Sequence, residues 1–479
     1  MRSERRPRHG HERRRRMAGA VLVLALLSGL LTEVPRGPRA ARADDRPLRP
    51  NVLIVVTDDQ RYDSTGVENH LRRFLGEKGR TFPNAFTTTP TCCPARASIF
   101  TGRYVHNHGL RTNDGSTTPN LDHSTTLHAY LQEHGYTTAL FGKYLNGWDE
   151  FEDPPFFDRY AFFSHNAQGY YFGNTWNVQG KVRFVTRYST SFIENKVVDF
   201  VTSRRARRNP WLSYVWTSAP HAPFTPQRKY LRARVSDFNR TPAMEEEERS
   251  DKPDYVQSRD VTHRRVARLR KGQLRTLMSV DDMIANVHRA LRRTGQARNT
   301  LVIYVSDNGY MYGEHGLQGK TAPYLPSVRI PFLLRFPGRV GGGTVDERLV
   351  ANIDIAPTVM QAVGLAPPQD PPMDGRSVLN PTWERDRLLL EYFHRARRGT
   401  PDWASTITPT EQYTEYYEEG SSEVASFREY YDFIADPYQL ENLLGNDDPT
   451  DDPLGFPLMS QQLARDRRCV GTEGDNACP

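Results

Sequence analysis

The chain has 479 residues, 37% hydrophobic and 25% charged, an ordinary globular composition and long enough for one large domain with a smaller companion. No fixed-period self-similarity runs through it, which excludes a repeat array. The formal charge of +7 is a leader effect: residues 1–43 carry 11 Arg, no Lys and 3 Glu, so the remainder sits near −1 and offers no global basic field for nucleic acid.

Residues 1–43 read as an export signal, with an Arg-rich stretch ending at 13–16, an apolar run over 18–31 and an Ala41-Arg42-Ala43 cleavage site. The apolar run is shorter than the roughly 20 residues of a spanning helix. A secreted or periplasmic product without a stable membrane partner is expected, with a membrane anchor as the alternative. Sec and twin-arginine export both remain open.

Past the leader, runs rich in β-branched and aromatic residues alternate with helical patterns, the mark of an α/β sheet covered by helices. The first run, NVLIVVT (51–57), ends in Asp58-Asp59. Next comes TCCPARASIFTGRYVHNHG (91–109), where Pro94 marks the first turn of a helix and sets Cys92 at its positive end. The run over 137–141 leads to Lys143, and WLSYVWT (211–217) leads to His221 in SAPHAPF. A polar connection over 227–264 holds an acidic run at 245–248, expected to be a solvated face. A helix follows, with Leu274, Leu277, Met278, Met283, Ile284, Val287 and Leu291 at helical spacing. LVIYVS (301–306) ends in Asp307-Asn308. A further helix is expected over Ile355–Val363, stopped by Gly364, before the Pro-rich APPQDPPMDG (366–375). Beyond it, one strand signal at 426–434 suggests a small antiparallel sheet. The domain reading is therefore 1–43 export signal, 44–365 catalytic α/β domain and 366–479 smaller C-terminal subdomain and tail.

Open α/β sheets hold ligands outside the carboxyl ends of their strands. Here those ends carry three Asp, one Asn, one Lys and one His. Any one is more often a cap or turn former. As a set they resemble a hard-cation site beside an anion site, because carboxylate and amide oxygens suit Ca²⁺ or Mg²⁺ and no Cys/His cluster suits zinc. Cys92 at a helix start reads as a thiol of lowered pKa facing an anionic substrate. An inert buried pair with Cys93 is the alternative. Four cysteines make no disulfide framework, although Cys469 and Cys478 stand near enough in the polar tail to pair.

The cysteine segment resembles the type I sulfatase signature C-x-P-x-R, with Cys92, Pro94 and Arg96 in its fixed positions. The likeness continues through DDQR (58–61), GKYLNG (142–147), APHAPF (219–224), SDNGYMYGEHGLQGK (306–320), VRIPFLLRFPG (328–338) and NIDIAPTV (352–359). CCPAR, GKYLN and LMSVDD (277–282) are phrased as in N-acetylglucosamine-6-sulfatases and extracellular heparan 6-O-sulfatases. The resemblance implies an alkaline-phosphatase-like mixed sheet and hydrolysis of a sulfate monoester of a sugar or an aryl alcohol. It also implies that a separate formylglycine-generating enzyme oxidises Cys92 to formylglycine, whose hydrate attacks sulfur. One Ca²⁺ would then be held by Asp58, Asp59, Asp307, Asn308 and the residue-92 oxygen. Arg96 would steady the nucleophile, Asp307 would act as its base, and Lys143, His221 and Lys320 would serve the sulfate oxygens and the leaving group.

Two positions depart from the family pattern. Ala95 stands where Ser or Thr is usual, and Leu145 and Asn146 replace the histidine of GK-x-H, leaving the elimination base unassigned with His106 and His315 as candidates. The competing readings are a phosphonate or phosphate monoester hydrolase of the alkaline phosphatase superfamily and a non-catalytic glycan-binding homologue.

Overall fold

Strand β1 (Asn51–Thr57) is buried along its whole length, and its alternate side chains feed two different cores. Val52, Ile54 and Val56 pack on one face with Ala97, Ile99 and Phe100 of helix α1 (Cys92–Thr101). Leu53 and Val55 pack on the other. That two-sided burial is why the sequence reads as continuously apolar.

The computed structural model describes residues 49–164, 170–394, 399–418, 424–445, 450, 452–453 and 455–479. The expected leader lies outside them. Around β1 the chain builds a ten-stranded mixed sheet. Its further long strands are β2 (Thr137–Lys143), β3 (Arg159–Phe163), β4 (Asn174–Val178), β5 (Lys181–Val185), β6 (Trp211–Trp216), β7 (Thr300–Ser306) and β8 (Phe332–Arg335). Reading across, two-residue strands at Thr344–Val345 and Arg80–Thr81 precede β8-β7-β1-β6-β2-β3-β4-β5. From β7 to β3 the strands run parallel, and β8, β4 and β5 are antiparallel to their neighbours.

Helices cover both faces. Besides α1, these are α2 (Leu127–Glu133), α3 (Ser189–Thr202), α4 (His263–Arg293) and α5 (Ile355–Val363). The α4 stripe of Leu274, Leu277, Val280, Met283, Ile284 and Val287 lies buried against the sheet together with Ile193 and Val197 of α3. Gly364 caps α5 at φ 76°, as its position predicted.

The second sheet is antiparallel and four-stranded, in the order β9 (Leu388–Tyr392), β10 (Asp402–Ile407), β11 (Glu411–Tyr417) and β12 (Ala425–Asp432). Of these strands only the last was expected. Their polar residues point inward and satisfy one another: buried Glu429 accepts from the hydroxyls of Tyr416 at 2.5 Å and of Tyr324 and Tyr431 at 2.8 Å. After the last helix, α6 (Phe456–Asp466), Cys469 and Cys478 form a disulfide. The acidic run is not wholly a solvated face. Glu246 turns inward, bonding His315 Nδ1 at 2.7 Å and facing Lys252 at 3.5 Å.

Candidate active site

The parallel strands all end on one side of the sheet, and the residues just beyond them converge there. Asp58 and Asp59 follow β1, and Asp59 adopts φ 70°, a left-handed conformation uncommon without glycine and typical of strained functional sites. That bend lets its N–H donate to Asp307 Oδ1 at 3.1 Å, stitching the β1 and β7 ends together.

Cys92 is the first residue of α1, and Thr91 provides no side-chain cap. The thiol is wholly buried, 3.3 Å from Asp58 Oδ1 and 2.8 Å from Lys320 Nζ. One turn on, Arg96 is buried beneath it. Arg96 Nη2 donates to Asp58 Oδ2 at 2.9 Å, Nε to Asp307 Oδ2 at 3.1 Å and Nη1 to the Lys143 carbonyl at 3.2 Å. Lys143, at the end of β2, donates to Asp58 Oδ2 at 2.6 Å. Lys320 also bonds Asp59 Oδ1.

Three carboxylates thus face three side-chain cations, a balanced set buried together. Burial alone would raise Asp58, but Lys143 and then Arg96 hold its carboxyl well below the usual range. Asp307 is pushed up to about 6 by burial and then by the Asp58 charge, against Arg96 and Lys320. Burial, with Asp58 next, pushes the Cys92 thiol up. This overturns the expected lowering at the helix start: desolvation and a carboxylate 3.3 Å away outweigh the dipole. The thiol stays protonated and donates to Asp58, so it is no thiolate nucleophile.

His221 lies on the loop after β6. Its Nδ1 donates to the Ala222 carbonyl at 2.7 Å, which leaves Nε2 toward Asp59 Oδ2 at 3.8 Å. Burial lowers its pKa, while Asp59 and Asp58 oppose that shift. Sequence reasoning missed the groups that hold this loop. Tyr170 stacks on the imidazole with centroids 4.7 Å apart and lies beneath Lys143 Nζ at 5.4 Å. Tyr171 donates to the His221 carbonyl at 2.7 Å. Two aromatics in the connection between β3 and β4 carry no signal of that role.

The donor set fits a hard cation. Ligand-capable atoms of Asp58, Asp59, Cys92 and His221 lie within 4.8 Å of one another. Asn308 Nδ2 donates to Asp59 Oδ1 at 2.8 Å, while its carbonyl Oδ1 is buried with no hydrogen-bond partner among the described residues. Such an orphaned oxygen beside carboxylates is what a cation would satisfy. The two candidate elimination bases are engaged elsewhere. His106 Nδ1 pairs with Glu391 at 3.0 Å and its Nε2 meets the Cys469 carbonyl. His315 is tied to Glu246.

Gly142 sets the height of Lys143. At φ 120°, a Cβ there would sit 1.7 Å from the Trp216 carbonyl oxygen, inside the β2–β6 pairing. Gly142→Ala is expected to cost more than about 2 kcal/mol in thermal or chemical unfolding. A loss under about 0.5 kcal/mol would show that the strands separate freely.

The sulfatase family model matches residues 50–365, and the model for the C-terminal part of N-sulphoglucosamine sulphohydrolase matches residues 313–463. The chain is 36% identical to an extracellular sulfatase SULF-1 homolog of Drosophila melanogaster, over 72% of this chain but only 32% of that protein. It thus spans about a third of that relative's length, and 48% of a putative Caenorhabditis elegans counterpart. It is 28% identical to the N-acetylglucosamine-6-sulfatase of Homo sapiens, over 97% of this chain and 91% of that one. Among solved structures, one in complex with its substrate D-glucosamine-2-N,6-O-disulfate superposes with TM-score 0.77 at 20% identity, covering 88% of this chain and 98% of its own. A phosphonate monoester hydrolase of Agrobacterium radiobacter gives 0.69 at 22%, covering 88% and 96%. At those identities the likeness is one of fold.

Proposed function

The chain belongs to the sulfatase family, and on that premise we propose that it is an exported sulfuric ester hydrolase acting on a 6-O-sulfated glucosamine residue, using a nucleophile made from Cys92. The observation that carries this is the state of Cys92. Its thiol is buried, held protonated and backed by Asp58, Lys320 and Arg96, so it is poorly made for direct attack as a thiolate, and a separate enzyme would have to convert it before the chain folds around it.

As formylglycine, made by a separate generating enzyme, position 92 supplies a hydrated aldehyde: one hydroxyl attacks sulfur and the second lets sulfate leave. Asp58, Asp59, Asp307 and Asn308, with the residue-92 oxygen, would hold a Ca²⁺, which would supply positive charge against the sulfate oxygens. The protein's own groups do the rest. Arg96 fixes the two carboxylates that face the nucleophile and touches no open space. Asp307, whose Oδ2 is held by Arg96, takes the proton of the attacking hydroxyl. Lys143 and Lys320 bring ammonium groups to where sulfate oxygens must sit. His221, its ring fixed by the Ala222 carbonyl, presents Nε2 to the departing alcohol and protonates it from the imidazolium form that the Asp59 and Asp58 charges favour against burial.

A cavity of about 420 Å³ opens from Lys320, with Arg259, Arg265 and His394 on its walls against a single carboxylate among the described residues, Asp260. Its size suits one or two sugar rings and its charge suits an anionic glycan. Export is supported by the extracellular relatives and by the Cys469–Cys478 disulfide. No helix among the described residues is long and apolar enough to cross a membrane.

The test is a hydrolysis panel on protein from a host that makes formylglycine: N-acetylglucosamine 6-sulfate, an aryl sulfate, and the matching phosphate and phosphonate esters. Release of sulfate from the sugar is expected, with kcat/KM on sulfate esters at least about 10²-fold above the phosphorus esters. Preference for a phosphorus ester would overturn the assignment to sulfate esters, and aryl sulfate turnover without sugar turnover would overturn the substrate class.

A further inference from the structure

At the opposite end of the central sheet from the catalytic groups, a surface cavity of about 630 Å³ is walled by Arg73, Lys78, Arg292, Arg298 and Arg335, and no carboxylate among the described residues lines it. Arg335 closes β8 opposite Val302, five residues before Asp307 on β7, or roughly 16 Å along the strand. This ground is separate from the sulfatase site, even though the chain beyond its leader is nearly neutral.

The cavity floor is built. Phe74 lies under the Arg335 guanidinium at 4.8 Å and stacks on His288 with centroids 3.7 Å apart, while His70 Nε2 meets His288 Nδ1 at 3.3 Å. The nearby carboxylate of Asp281 is committed to the backbone N–H groups of His70 and Leu71, at 3.0 and 2.8 Å. Arg335 Nε and Nη1 are buried with no hydrogen-bond partner among the described residues. An arginine near a helix C-terminus, such as Arg292, is ordinary. Buried guanidinium donors left unpaired are not, because desolvating them costs free energy that a partner must offset. The local field is positive enough to act on its neighbours: burial first, then His70, Arg335, Arg292 and Lys78, push His288 down to about 4.

We propose that this cavity is a second anion site, taking a tetrahedral oxyanion of the sulfate or phosphate class, with Arg335 as its fork and Arg292 and Lys78 at its rim. A guanidinium presents parallel N–H donors that match such a group. The stacked Phe74 and His288 hold that guanidinium flat, so little side-chain entropy is lost on binding.

Calorimetric titration of the full chain at constant ionic strength tests the proposal, with sodium sulfate, sodium phosphate and a heparin tetrasaccharide as probes. The wild type is expected to show one more oxyanion site per chain than Arg335→Gln, with kcat/KM on an aryl sulfate unchanged within about twofold. Arg292→Gln, exposed and unable to disturb the core, should weaken that site at least fivefold. A tetrasaccharide bound more tightly than inorganic sulfate points to a sulfated chain as the source. Phosphate bound more tightly than both points to a phosphorylated ligand. Equal stoichiometry in wild type and Arg335→Gln, or unchanged affinity in Arg292→Gln, overturns the proposal.

Discussion

Cys92→Ser is expected to lower kcat/KM on any sulfate ester by at least about 10⁴-fold while leaving the melting temperature nearly unchanged, since removing a nucleophile typically costs that much or more. A serine hydroxyl takes the thiol's place without enlarging the residue, and it donates to Asp58 Oδ1 as the thiol does. Lys320 and Arg96 keep their partners, so packing and charge balance survive. What disappears is the second hydroxyl. A serine that attacks sulfur becomes a sulfate ester with no internal route to release, so the variant should consume at most one equivalent and stop. Peptide mass spectrometry reads both ends of this argument. The wild type from a competent host should carry an aldehyde at position 92, and the variant, after substrate, a sulfated serine. Full activity from protein whose Cys92 is still a thiol would sink the mechanism.

The central sheet was legible because both of its faces are buried. Runs such as Asn51–Thr57 and Thr300–Ser306 leave no alternation to misread, and their polar ends mark where the site must lie. The second sheet was not legible for the opposite reason. Its strand EQYTEYY buries Tyr413 and Tyr417, whose hydroxyls donate to Glu415 two residues away on the same strand, so a pattern that looks solvated is interior. Within the site, Cys92, Arg96 and the paired aspartates were found through a motif, and the structure brings them together with Lys143, His221, Asn308 and Lys320. The thiol's protonation was misjudged because a helix start is visible in sequence, whereas Asp58, 34 positions away, is not seen to touch it. Tyr170 and Glu246 were missed on the same ground, since their partners are set by loops with no local code.

Arg96→Met should be the most damaging substitution outside the nucleophile, costing about 3–5 kcal/mol of stability and nearly all activity. The methionine keeps much of the volume but leaves Asp58 and Asp307, both wholly buried, without the guanidinium that now joins them. Lys143 still pairs with Asp58, so the larger share of the penalty falls on Asp307, already pushed up to about 6 by burial and by Asp58. Removing Arg96 raises its folded-state affinity for protons further. A carboxylate whose folded pKa lies above its unfolded value loses stability as pH rises. The deficit of Arg96→Met should therefore be smaller at pH 5 than at pH 8, and Ca²⁺ should recover part of it at pH 8. Arg96→Lys should fall between, because one ammonium cannot reach both carboxylates and the Lys143 carbonyl as the planar fork does. Melting curves across pH, with and without Ca²⁺, decide it. A deficit that stays the same from pH 5 to pH 8 would mean that Arg96 acts through packing, with its charge immaterial.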